Sequence, residues 1–135
     1  MEPHQFTHLP VYKKALEIFK VSRAIAYNIG NSEHIIEMSL SANENKRVAG
    51  EIVTASLQLA PALAALQNSS CSSMQLEKAN SIRRSSKRIL SKCRKMEYLS
   101  NKEKDILRLL KMEIKQFEQL FSQWYHQLEY RNRLN

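Results

Sequence analysis

The sequence predicts an all-α protein, an antiparallel up-down-up-down four-helix bundle forming one domain over residues 1–135. Three observations lead there. Two glycines and three prolines leave few chain breakers, so long regular elements joined by few turns are expected. Aromatic and β-branched residues nowhere alternate with polar ones over a strand-length window. Apolar residues instead recur at alternating steps of three and four, the spacing of helices packed nearly parallel.

The first helix, about 10–29, opens at Pro10, where a missing N–H costs nothing. Ala15, Ile18, Phe19, Ser22, Ile25, Ala26 and Ile29 fall on one face, and Gly30-Asn31 supplies a left-handed stop. Ser32 caps a second helix over about 33–66. Its seam is Ile35, Met38, Ala42, Asn45, Ala49, Ile52, Ser56, Leu59, Leu63 and Leu66. At about 1.5 Å per residue this helix spans about 50 Å. Two residues disturb it. Pro61 has no N–H for the Leu57 carbonyl and should bend the last turns. Asn45 puts an amide in the seam, which needs a partner or a place near a bundle end.

The serine-rich stretch 67–73 reads as a loop ending in a serine cap. The third helix, about 74–98, carries Ala79, Ile82, Ser86, Ile89, Cys93 and Met96 at the same spacing. Ser100 and Glu103 form a Ser-x-x-Glu capping box for the fourth, about 101–130. Its seam is Leu107, Leu110, Ile114, Phe117, Phe121, Trp124 and Leu128, and the helix fades from Glu129 onward.

A composition of 43% hydrophobic and 25% charged residues is that of a soluble globular chain. No run of 18 apolar residues exists, so no membrane span is expected. Residues 1–8 lack the apolar core of a signal peptide. Cys71 lies among serines and Cys93 in the third seam, neither in a metal-ligand spacing, so both are expected as reduced thiols of a cytoplasmic protein.

Charge is where the sequence is most informative. The chain carries 21 Lys and Arg against 13 Asp and Glu, a formal +8, which favours polyanionic partners. The excess is concentrated. Residues 67–98 hold Lys78, Arg83, Arg84, Lys87, Arg88, Lys92, Arg94 and Lys95 against only Glu77 and Glu97. Lys13, Lys14, Lys20 and Arg23 oppose Glu17 alone in the first helix. Arg84, Lys87, Arg88 and Lys95 point away from the third seam, with Arg83, Lys92 and Arg94 beside them. A merely solvated face mixes signs at i,i+4, whereas Arg84–Arg88 and Arg88–Lys92 set like charges there at a cost. Phosphate contact explains that arrangement better than solubility does. The basic run has no interleaved aromatics for base stacking, so sequence-independent binding of an RNA or DNA backbone is expected.

Catalytic chemistries find no footing. No His has a Glu three positions before it, as a di-iron bundle requires. The Arg-x4–6-His pattern of bundle ribonucleases is absent, since Tyr27, Asn28 and Ile29 precede His34 and Gln119, Leu120 and Phe121 precede His126. Glycines only at 30 and 50 allow no phosphate-cradling loop. A non-enzyme without metal or cofactor is expected.

Three segments resemble a known family: Val11–Ile18 (VYKKALEI), the turn Met96–Glu103 (MEYLSNKE), and Leu120–Tyr125 (LFSQWY). They are similar to the small bacterial four-helix bundles encoded in intervening sequences of large-subunit ribosomal RNA genes, and to the avidity-determinant accessory proteins of diversity-generating retroelements. The intervening-sequence members tend to carry Asn-Ile-Ala-Glu-Gly in the second helix. Val48–Ile52 (VAGEI) departs from that order, which favours the accessory branch. The resemblance implies a homopentamer that binds nucleic acid and a reverse transcriptase through basic surfaces. The matching residues here would be Arg83, Arg84, Lys87, Arg88, Lys92, Arg94 and Lys95 with Lys13, Lys14, Lys20 and Arg23. The expected function is therefore an RNA-binding accessory of a retroelement reverse transcriptase. The alternatives are a scaffold whose basic face docks an acidic protein, or an intervening-sequence protein of the same family.

Overall fold

The computed structural model describes residues 3–30, 34–99 and 103–134. Helices hold 89% of them and no strand is present among them. Seven helical segments follow in order: α1 Pro3–Phe6, α2 Pro10–Gly30, α3 Ile35–Ser39, α4 Glu44–Leu57, α5 Leu59–Gln67, α6 Ser72–Leu99 and α7 Lys104–Leu134. The Asn31, Ser32 and Ser100 signals of the sequence lie outside the described residues.

The long helices bury the stripes their spacing predicts. In α6 the buried residues are Gln75, Ala79, Ile82, Ser86, Ile89, Cys93 and Met96. In α7 every predicted seam residue from Leu107 to Leu128 is buried, and Tyr125 with them. Its helix does not fade at Glu129 but runs on to Leu134. Arg131 and Arg133 favour the negative end of the helix dipole, and Asn132 reaches the Gln75 side chain of α6 at 2.5 Å. In α2, Val11, Ala15, Ile18, Val21, Ser22, Ile25, Ala26 and Gly30 are buried, while Phe19 and Ile29 are half-buried at its margin.

The second helix is not one rod of residues 33–66. It breaks twice. The first break, at Leu40–Asn43, is made by side chains that offer the backbone other partners. Ser39 Oγ donates to the Ile35 carbonyl, Ser41 Oγ accepts from the Asn43 N–H, and Asn43 Oδ1 accepts from the Lys46 N–H and caps α4. Ala42, though in phase with the seam, is consequently exposed. Asn45 lies in the first turn of α4, and its Oδ1 is buried with no hydrogen-bond partner among the described residues. The second break is the single residue Gln58, whose N–H turns to the Ala55 carbonyl at 3.3 Å. Pro61 then lies in the first turn of α5, where no N–H is required, rather than bending a continuous helix.

The glycine at the end of α2 also has a different task from the one expected. Gly30 remains helical, without a left-handed φ, and a Cβ there would stand 2.7 Å from Met38 Sδ of α3. Gly50 serves α4 in the same way. A Cβ would come within 2.8 Å of the Ser39 N and 3.1 Å of the Ile35 O, both backbone atoms of α3. The two glycines are what let α3 lie close against its neighbours.

Helix α1 has no counterpart in the sequence reading. It carries Phe6 into the core, where its ring stands 5.0 Å from Tyr12 and 6.3 Å from Trp124. Around the core, α2 rests on α4 and α7, and α6 rests on α4, α5 and α7. Cross-helix hydrogen bonds link Ser22 with Ser56, Lys14 with Glu113, Lys92 with Glu51, and Ser86 with Glu118. One stretch, Glu44–Gln67, reaches a mean hydropathy of 1.4 and is long and apolar enough to cross a membrane by composition. Half of that window is buried against the other helices and Gln58 interrupts it, as suits a core element.

Candidate nucleic-acid interface

The basic residues of the third predicted helix lie on α6, and the structure sorts them into three kinds. At about 100° per residue, Arg84, Lys87, Arg88, Ser91, Arg94, Lys95 and Tyr98 share one side of that helix, opposite its buried stripe. All seven are exposed. From Arg84 to Tyr98 this stripe is about 21 Å long.

Arg84, Lys87, Arg88 and Arg94 form no ion pair among the described residues. Their guanidinium and ammonium groups are left to solvent or to a ligand. Lys92 and Lys95 differ. Lys92 Nζ pairs with Glu51 at 3.0 Å and Lys95 Nζ with Glu44 at 3.1 Å, both carboxylates belonging to α4. These pairs are partly solvated and contribute little stability, but each offsets one cation of the stripe.

Arg83 is used inside the protein. Its guanidinium stands 5.4 Å from the centre of the Phe121 ring and 5.2 Å from that of Tyr125, over two rings that are themselves stacked. Held on these aromatic faces, and bonded to Asn80 at 3.3 Å, the Arg83 guanidinium helps cover the core as well as adding charge beside the stripe. Burial, and then the Glu129 carboxylate, raise the Tyr125 hydroxyl above its usual pKa, while Arg83 opposes them.

The cluster of α2 is a separate surface. Lys13, Lys20 and Arg23 are exposed, whereas Lys14 is half-buried and bonded to Glu113 at 2.8 Å and Gln116 at 2.7 Å. Arg23 lies over the Phe19 ring at 5.7 Å. Both α2 and α6 take α4 and α7 as main neighbours, so they occupy diagonal positions and expose opposite sides. The eleven residues grouped by the sequence therefore do not make one interface. The separation follows from chain topology, which local spacing does not encode.

Neither thiol completes a reactive constellation. Cys93 is buried, and burial together with Glu97 pushes it up to about 12. Cys71 is exposed, and hydrogen bonds from the Ser73 side chain and the Met74 and Ser73 backbone lower its pKa. No group of three His, Cys, Asp or Glu side chains that could hold a metal occurs among the described residues. No family model, curated protein or solved structure matches the chain.

Proposed function

We propose that this chain is a non-catalytic nucleic-acid-binding protein that holds RNA phosphates along the exposed stripe of α6. One observation carries the reading: Arg84, Lys87, Arg88 and Arg94 stand together on one exposed side without acidic partners among the described residues. Like charges at i,i+4 destabilise a helix, and a row of phosphates is the ligand that reverses the sign of that term.

In this reading α2, α4 with α5, α6 and α7 occupy four bundle positions in up-down-up-down order, and α1 and α3 are short segments packed against them. The pairings of Lys92 with Glu51 and Lys95 with Glu44 support it, since residue numbers fall on one helix as they rise on the other. Ser86 with Glu118 and Arg83 with Phe121 favour the same order for the last pair. The short resemblances over Val11–Ile18, Met96–Glu103 and Leu120–Tyr125 extend the proposal to a partner and an assembly: a retroelement reverse transcriptase and a homopentamer. Exposed Tyr27, Ile36 and Leu40 offer apolar surface for self-association. Light scattering should then give several times 15.7 kDa, and a monomer mass would remove the assembly from the proposal.

The phosphate reading is tested by salt. Each neutralised phosphate on a single strand contributes about −0.7 to the slope of log K against log salt. Changing Arg84, Lys87 and Arg88 together to Gln should make the slope shallower by about 2 per chain. Affinity should fall alike for unrelated sequences, because phosphates carry no sequence information. The measurement is fluorescence anisotropy of labelled RNA at several salt concentrations, with circular dichroism as the folding control. A folded triple variant with wild-type affinity and slope would refute the reading.

A further inference from the structure

The end of α6 and the beginning of α7 enclose a cleft of about 480 Å³ lined by Arg94, Glu97, Tyr98, Lys104, Arg108 and Lys111. Four of the six are cations. Lys111 Nζ is tied to Glu97 at 2.6 Å, whereas Arg94, Lys104 and Arg108 are exposed and form no ion pair among the described residues. Among them stands Tyr98, the most exposed large hydrophobic side chain of the described residues, at 92%.

The cations of this cleft are badly placed for helix stability. Lys104 opens α7, where the helix dipole is positive and disfavours positive side chains, and Arg108 follows one turn later. They also stand at i,i+4, a like-charge pair. Asp105 answers the dipole, but it lines no part of the cleft. An anion seated between Arg94, Lys104 and Arg108 would turn both unfavourable terms into favourable ones. The aromatic ring beside them adds a flat apolar face at the end of the cationic stripe of α6.

We infer that this cleft is a nucleotide subsite for single-stranded nucleic acid, in which Tyr98 stacks on a base while Arg94, Lys104 and Arg108 hold the adjoining phosphate. The inference rests on the phosphate reading of the α6 stripe and deepens it. The stripe leads a backbone toward Tyr98, and the cleft receives the base there. A duplex keeps its base faces inside the stack and offers Tyr98 nothing, so the subsite selects single strands.

The test uses the full chain and two labelled single-stranded probes, a decamer of adenylate and a decamer of the same backbone lacking bases. Base–aromatic stacking predicts that Tyr98→Ala weakens the adenylate probe by about 5-fold to about 140-fold. Tyr98→Phe should restore wild-type binding, and the abasic probe should bind wild type and Tyr98→Ala equally. Wild-type affinity of Tyr98→Ala for the adenylate probe would overturn the subsite and leave the stripe standing. So would an equal loss on both probes, which would mean that Tyr98 acts on the backbone or the fold. Failure of wild type to bind either probe would overturn the phosphate reading and the subsite together.

Discussion

Ser22 of α2 and Ser56 of α4 meet in the core with their hydroxyl oxygens 2.7 Å apart, at 0% and 1% exposure. The direction of the proton between them can be worked out. Ser56 Oγ also lies 2.7 Å from the Ile52 carbonyl, which can only accept, so the one Ser56 proton goes there. Ser22 must then donate to Ser56. The two alanine substitutions are consequently unequal. Ser56→Ala strands the Ser22 proton in the core and should cost about 1–3 kcal/mol. Ser22→Ala removes only an accepted bond from Ser56, whose own donation survives, and should cost about 0.5–1.5 kcal/mol. The double variant replaces both partners by apolar groups and should be less destabilised than Ser56→Ala alone. Urea unfolding followed by circular dichroism and Trp124 fluorescence measures all three. With a slope of about 2 kcal/mol/M, a 2 kcal/mol loss moves the midpoint by about 1 M. Equal single effects that simply add in the double variant would refute the assigned direction.

Two further outcomes follow from the packing. Gly50→Ala, which in an ordinary helix interior would gain about 1 kcal/mol, should instead destabilise, because the new Cβ meets backbone atoms of α3. Gly30→Ala should cost less, since its clash is with the flexible end of Met38; thermal melts giving the reverse order would show α3 is not seated as described. A thiol reagent at pH 8 should modify Cys71 rapidly in the folded chain and Cys93 only on unfolding. Because folding raises the Cys93 pKa from 9.0 to about 12, the native state binds that proton more tightly between those values. Its contribution is therefore present below about pH 9 and lost as pH climbs toward 12. Immediate labelling of two thiols per folded chain would contradict this.

The long seams were legible because they are uninterrupted: from Ile82 to Met96 and from Leu107 to Leu128 a three-four step has only one helical interpretation. The second helix misled for the converse reason. Ala42 and Asn45 happen to continue the apolar phase across a break, and the true signal was capping chemistry in Ser39, Ser41 and Asn43. No local pattern announces α1, since Phe6 is held by Tyr12 and Trp124, contacts that exist only after folding. For the interface, helical geometry placed Arg84, Lys87, Arg88 and Lys95 outward correctly. The carboxylates that take Lys92 and Lys95 come from α4, more than forty positions earlier, and spacing within α6 could not reveal them. The aromatic missing from the basic run is Tyr98, one turn beyond it, read as part of a connection rather than as a neighbour of Arg94.

The diagonal relation of α2 and α6 sets the valence of the molecule. Lys13 and Lys20 look one way while Arg84, Lys87 and Arg88 look the other, with the thickness of the bundle between them. A straight strand lying on one side leaves the other side vacant, and only a strand long enough to wrap the bundle can occupy both. Under the proposed phosphate reading, a chain of this shape would be a linker as well as a binder: at low ionic strength it would join two strands that otherwise repel, each second attachment being made at the high local concentration the first one creates.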